Sequence, residues 1–163
     1  MNIIFLDVDG VLNSVNKLIE THEKTHKSHS GYLYPFDEIC LENLQTLVRE
    51  TNSKLVVTSS WRKDEEGKNI LLEMLKKYDL KKDVMGFTPI LSNEERSKEI
   101  ESFLDNLNIK PNFIILDDDS DFGDLLPFLI KTDKNTGLTY ENVQEAIKKL
   151  NLSKNKKDND IER

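Results

Sequence analysis

Asp7 and Asp9 stand two residues apart in Asp7-Val8-Asp9-Gly10-Val11, directly after the apolar run Ile3-Ile4-Phe5-Leu6. A short apolar run bounded by a turn signal reads as a buried strand, so both carboxylates emerge where a strand ends. Gly10 lets the backbone turn sharply there. On extended chain the two would project from one side; the turn lets one act on a substrate while the other reaches over it. Carboxylates so placed suit a hard cation such as Mg²⁺, which prefers oxygen ligands. They also suit nucleophilic attack by a carboxylate followed by proton transfer. Asp and Gly are ordinary turn residues too, so this segment alone also reads as a plain polar turn.

A second acidic patch weighs against the plain turn. Asn112-Phe113-Ile114-Ile115-Leu116 runs into Asp117-Asp118-Asp119-Ser120-Asp121. Four acids in five residues behind a buried strand repel one another, and a divalent cation would relieve that repulsion. Between the patches, Lys54-Leu55-Val56-Val57 ends in Thr58-Ser59-Ser60, a strand delivering hydroxyls and free N–H groups. Carboxylates on two strands and a hydroxyl on a third form a convergent site at the carboxyl edge of a parallel sheet, where open α/β sheets bind ligands.

The elements that must position these groups follow from periodicity. Strands are expected at about 2–7, 54–58, 83–87, 112–117 and 127–132, with helices from Phe36 to Thr51, Asp64 to Tyr78, Asn93 to Leu107 and Tyr140 to Leu150. Such alternation implies an α/β domain with a parallel sheet and right-handed crossovers over residues 1–150. Asp37 is placed to cap the first of these helices, and Ser92 or Asn93 the third. Residues 14–35 interrupt the first crossover; they are polar and hold His22, His26 and His29. About 20 residues suffice for a hairpin or short helix, a flap rather than a cap domain, so the site is expected to be open. The histidine spacing could place two imidazoles on one helical face for Zn²⁺, but no cysteine or carboxylate pattern completes such a site, which favours a solvated flap. Residues 151–163 have almost no apolar content and are expected to be disordered. Acids interspersed among their lysines argue against a basic nucleic-acid-binding tail.

Composition narrows the class. The 163 residues are 37% hydrophobic and 33% charged, as for one soluble globular domain. No apolar run approaches the roughly 20 residues of a membrane span, and no secretory signal opens the chain. The lone cysteine, Cys40, sits in an apolar helical pattern and reads as a small buried hydrophobe; the expected compartment is the cytoplasm. Net charge is −7, from 30 acids against 23 bases. That disfavours gripping long nucleic acid through many phosphates, but leaves room for taking a single phosphorylated end.

The order Asp-x-Asp-Gly-Val, strand-Thr, a basic residue opening a helix, then strand-Asp-Asp resembles the haloacid dehalogenase (HAD) superfamily over about residues 1–150. Asp-Val-Asp-Gly-Val-Leu-Asn together with Thr-Ser-Ser-Trp-Arg resembles the small phosphatase-like HAD domains of bacterial RNA-repair proteins. The resemblance implies a three-layer α/β/α Rossmann-like fold with strand order 5-4-1-2-3, Asp7 as nucleophile, and Asp9 as general acid and then base. It also implies Mg²⁺ held by Asp7, the backbone carbonyl of Asp9, and Asp117. Asp118 would orient the site or ligate through water, and Asp119 and Asp121 would face solvent. Thr58 would donate its hydroxyl to a phosphate oxygen, with Ser59 assisting. Arg96 is the preferred phosphoryl-stabilising base, with Lys98 the alternative. Trp61 and Arg62 could stack a base and bind a further phosphate, although Trp61 equally suits core packing under the turn. The expected activity is a Mg²⁺-dependent phosphomonoester hydrolase acting through an aspartyl-phosphate on phosphorylated nucleic-acid ends. The alternatives are a phosphatase of small metabolites or nucleotides, and a non-catalytic phosphate-binding module; the complete Asp7, Asp9 and Asp117 set disfavours the last.

Overall fold

The structure, a computed structural model, describes residues 1–27, 34–92 and 95–161, with side chains described as far as Asn151. Five parallel strands form one sheet: β1 (Asn2–Leu6), β2 (Ser53–Val57), β3 (Val84–Phe87), β4 (Asn112–Asp117) and β5 (Leu129–Lys131). Their spatial order is β3-β2-β1-β4-β5, the expected 5-4-1-2-3 read from the opposite edge. This is the expected three-layer Rossmann-like arrangement. β1 is central and buried at every position, which explains an unbroken apolar run in place of alternation.

Register brings the chemistry to one level. Leu6 aligns with Val57 on one side and Leu116 on the other. The first residues beyond the strands then continue the ladder: Asp7 N–H donates to Leu116 O (3.0 Å), and Thr58 N–H to Leu6 O (2.9 Å). Asp117 O accepts in turn from Thr132 N–H at 3.0 Å.

Helices α2 (Glu38–Thr51), α3 (Glu65–Lys77) and α5 (Tyr140–Ile161) contribute Leu44, Leu71 and Ala146 to one face of the sheet, packed with Ile4, Leu55 and Ile114. Helix α4 (Arg96–Asp105) covers the other face, with Ile100 against Ile3, Phe5 and Ile115. Phe5 meets Phe103 and Phe113 edge-on, at 5.8 and 5.7 Å between ring centres. Truncating such a buried ring costs about 3–5 kcal/mol, so the strand carrying Asp7 is anchored on both faces.

Asp37 caps α2 as expected, accepting from Ile39 N–H at 3.0 Å. Cys40 on that helix is 1% exposed, and burial pushes its thiol up to about 12, so it is inert packing. Two expectations differ. The start of α4 falls at Arg96, with Glu95 at the cap position and no side-chain cap bond; Ser92 lies in the preceding turn, and Asn93 is outside the described residues. The segment expected to be disordered after Leu150 continues α5 to Ile161; it contains neither Gly nor Pro, so nothing in it breaks the helix. Within the flap, α1 (Val15–Thr25) is a helix with no buried residue, capped by Ser14 accepting from Lys17 N–H at 3.1 Å. His22 lies on it and His26 ends it at φ 55°, while His29 lies outside the described residues. No described helix is long and apolar enough to cross a membrane.

Candidate active site

Asp7 and Asp117 face each other across the β1–β4 pair, 4% and 0% exposed. Oxygen atoms of Asp7, Asp117 and Asp118 lie within 4.8 Å of one another, the single such group of potential metal ligands among the described residues. His22 and His26 contribute none. An oxygen-only donor set fits Mg²⁺ rather than zinc.

Arg96 answers the charge. From the first turn of α4, its Nη1 donates to Asp7 Oδ2 at 3.0 Å and also to Asp117 Oδ2. Asp119 N–H donates to Asp117 Oδ1 at 2.9 Å. Burial raises the Asp7 pKa despite Arg96 beside it. Asp117 is pushed to about 7, by burial first and then by Asp7. Burial also raises Asp118. Desolvation alone would lower Arg96, but the two carboxylates outweigh it and keep the guanidinium charged. The remaining N–H groups of Arg96 have no partner among the described residues, and 30% of its side chain is exposed. Lys98 points elsewhere: exposed, it pairs with Glu101 at 2.9 Å. Of the two bases named from sequence, only Arg96 touches the carboxylates.

Thr58 carries an unmet demand. Its Oγ1 is buried and, alone among the buried side-chain polar atoms described, has no hydrogen-bond partner. An orphaned buried hydroxyl costs about 1–3 kcal/mol, and such exceptions call for an explanation. A ligand oxygen at the mouth of the β1–β2 pair would supply one. The neighbouring Ser59, fully buried, accepts from Trp61 N–H at 3.4 Å, and its hydroxyl acts to lower the Asp7 pKa against the larger effect of burial.

Asp9 is held from two sides. Asn13 Nδ2 donates to Asp9 Oδ1 at 2.8 Å, and Trp61 Nε1 to Asp9 Oδ2 at 3.1 Å. Gly10, at φ 71°, turns the chain so that its N–H reaches Asn13 Oδ1 at 2.9 Å. Thr132 then donates its hydroxyl to Gly10 O at 2.7 Å. Trp61 is 3% exposed and packs on Phe36 at 5.3 Å; its ring packs beneath the turn and aims Asp9. Arg62 departs furthest from expectation. Its side chain is 3% exposed and bonds Thr58 O, Ser59 O, Thr88 O, Pro89 O and Glu99, so it turns into the protein rather than toward a phosphate. Asp119 and Asp121 are exposed, as expected.

Asn13, Glu99 and Thr132 were not singled out by sequence reasoning. Asn13 carried a signal, an amide three residues after Gly10, where a side chain can close a turn. Thr132 ends a strand as Thr58 does. Glu99 stands in Arg96-x-x-Glu99-Ile100, a spacing that resembles the RNA-repair-type domains, but its role rests on an arginine 37 positions away.

A search of curated proteins returns no match to this chain. The family model described as the HAD domain in Swiss Army Knife RNA repair proteins matches residues 3–143, a span that begins in β1 and ends in α5. With the sheet order, the paired loop aspartates and this coverage in agreement, the chain belongs to the family of HAD domains found in Swiss Army Knife RNA repair proteins.

Proposed function

We propose that this domain is a Mg²⁺-dependent phosphomonoester hydrolase that works through an aspartyl-phosphate on phosphorylated nucleic-acid ends, in the cytoplasm. The observation that carries the reading is the orphaned hydroxyl of Thr58, one strand away from Asp7 and 1% exposed. A tetrahedral oxyanion set against Asp7 would take that donor. Asp7, Asp117, Asp118 and the backbone carbonyl of Asp9 would hold Mg²⁺, which when bound offsets phosphate charge so that one anion can approach another.

The residues then divide the work. An Asp7 oxygen bonds to phosphorus as the ester P–O bond breaks, and Asp9 gives its proton to the leaving alcohol. Asp9 next takes a proton from water, whose oxygen bonds to phosphorus and releases inorganic phosphate and the Asp7 carboxylate. Trp61 and Asn13 fix the Asp9 carboxyl for both transfers. Arg96 has unused donors with which to grip phosphoryl oxygens. The nucleic-acid end is supported by the family's description and by the open cavity beside Asp9.

The test is turnover of para-nitrophenyl phosphate, with and without Mg²⁺, by wild type and Asp7→Asn. Wild type should require the metal, and Asp7→Asn should fall at least about 10⁴-fold, roughly 5 kcal/mol of barrier. Turnover within about tenfold of wild type would place the nucleophile elsewhere. An inactive wild type that still binds phosphate would support a non-catalytic module.

A further inference from the structure

A cavity of about 530 Å³ opens beside Asp9, and neither Asp7 nor Asp117 is among its described lining residues. Among its lining residues are Asp9, Tyr34, Trp61, Asp118 and Lys134. Its volume lies within the roughly 300–1,000 Å³ of small-molecule sites. Because Asp9 serves the leaving group in the reaction proposed above, whatever leaves must occupy this space.

Its walls carry two unspent polar groups. Tyr34 is half-buried, close enough for the charge of Asp9 to act on its hydroxyl, and makes no hydrogen bond among the described residues. Lys134 is the cavity's one cationic wall residue; it is exposed, and its ammonium has no ion pair among the described residues.

Lys134 is not on a loose loop. Its carbonyl accepts from Val15 N–H at 3.0 Å, and Asn135 O from Asn16 N–H at 3.1 Å. Asp133 closes the loop, its carbonyl accepting from Gly137 N–H at 2.7 Å and its side chain from Asn135 N–H at 2.8 Å. Thr132, just before it, is tied to Gly10. The backbone that carries Lys134 is therefore set at a fixed place relative to Asp9, with the flexible side chain reaching out from it. Beyond Lys134 the surface does not close. A second cavity, of about 480 Å³, shares Lys134 and Asp118 with the first and adds Lys131.

We infer that the cavity is the leaving-group subsite, that it takes the terminal nucleoside of an oligonucleotide, and that Lys134 binds the phosphodiester joining that nucleoside to the chain. The inference rests on the phosphatase reading. A cation one cavity-width from the general acid fits a second anion one nucleoside from the scissile phosphate, and the adjoining cavity with Lys131 gives the chain somewhere to continue. A net charge of −7 limits such a grip to one or two phosphates.

The experiment compares kcat/KM at low salt for a nucleoside monophosphate, the nucleoside 3′,5′-bisphosphate and an end-phosphorylated dinucleotide, with both 3′- and 5′-phosphorylated forms. Wild type should prefer the dinucleotide to the monophosphate by about fivefold, through KM, the scale of one exposed charge contact. Lys134→Gln should bring that ratio to about one, and Lys134→Glu below one, with melting temperatures held near wild type. The salt dependence for the dinucleotide should lose about 0.7 of a log–log unit in Lys134→Gln. A preference that survives Lys134→Gln, or none in wild type, overturns the subsite. A bisphosphate better than the dinucleotide overturns the chain end in favour of a small substrate. If wild type hydrolyses no phosphomonoester, para-nitrophenyl phosphate included, it is the phosphatase reading that falls.

Discussion

Arg62 and Arg96 both bring a guanidinium to the carboxyl edge of the sheet, one from each side of β1, and their surroundings differ in kind. Each of the five N–H donors of Arg62 has an acceptor inside the protein, at 2.5 to 3.1 Å. Four of those are carbonyls in the loops after β2 and β3, and the fifth is Glu99 on α4. Glu99 in turn accepts from Leu91 N–H at 3.1 Å. Arg62 is thus a cross-link among three segments, with nothing left to give a ligand. Arg96 spends one nitrogen on two carboxylates and holds the rest in reserve. A buried guanidinium is structural when its fork is full, and available for chemistry when it is not.

Three substitutions test that contrast. Arg62→Ala should have the largest effect, lowering unfolding free energy by about 3–5 kcal/mol, because it strands Glu99 and four carbonyls; urea denaturation reads this directly. A normal melt with lost turnover would instead make Arg62 a substrate residue and erase the distinction. Arg96→Ala should lower kcat about 10²–10³-fold, near 3–4 kcal/mol of transition-state stabilisation, with stability in saturating Mg²⁺ changed by less than about 1 kcal/mol. Arg96→Lys should recover part of the rate. Equal loss of stability and rate would put Arg96 in the same class as Arg62.

The smallest effect sharpens the picture of what Arg96 neutralises. Asp117 is raised from 3.8 to about 7. A carboxyl whose folded pKa lies above its unfolded one contributes stability that is complete below about pH 4 and is lost as pH rises through about 7. Asparagine stays neutral throughout. In chelator, Asp117→Asn should therefore match wild type near pH 4 and be the more stable of the two near pH 7.5. A difference independent of pH would mean that Asp117 is already ionised and satisfied by Arg96.

The contrast between the arginines also marks what could be read from sequence. Ile3 to Leu6 and Asn112 to Leu116 declare their strands by local composition, and Asp7, Thr58 and Asp117 follow from where those strands stop. Asp37 declares its helix in the same local way. The direction of the Arg62 side chain is set by Thr88, Pro89 and Glu99, which no local pattern connects to it. Lys134 is equally hidden, since only the placement of β5 at the sheet edge brings its loop to Asp9. Trp61 was legible as packing or as a base platform; the partners that decide are Phe36 and Asp9, one of them 52 positions distant. Chemistry carried at strand ends is visible locally, whereas the aim of a long side chain is a property of the assembled fold.

Gly10 adds a constraint of a different sort. A methyl group placed on it would sit 2.5 Å from the Asp118 carboxyl carbon, so the two acidic loops mesh like teeth with no clearance. The identity of residue 10 is therefore a spacer that sets how close the loop of Asp7 and Asp9 comes to the loop of Asp117 and Asp118. An evolutionary path that enlarges position 10 must shorten or remove position 118 in the same step, and descendants of this chain should keep or lose the pair together.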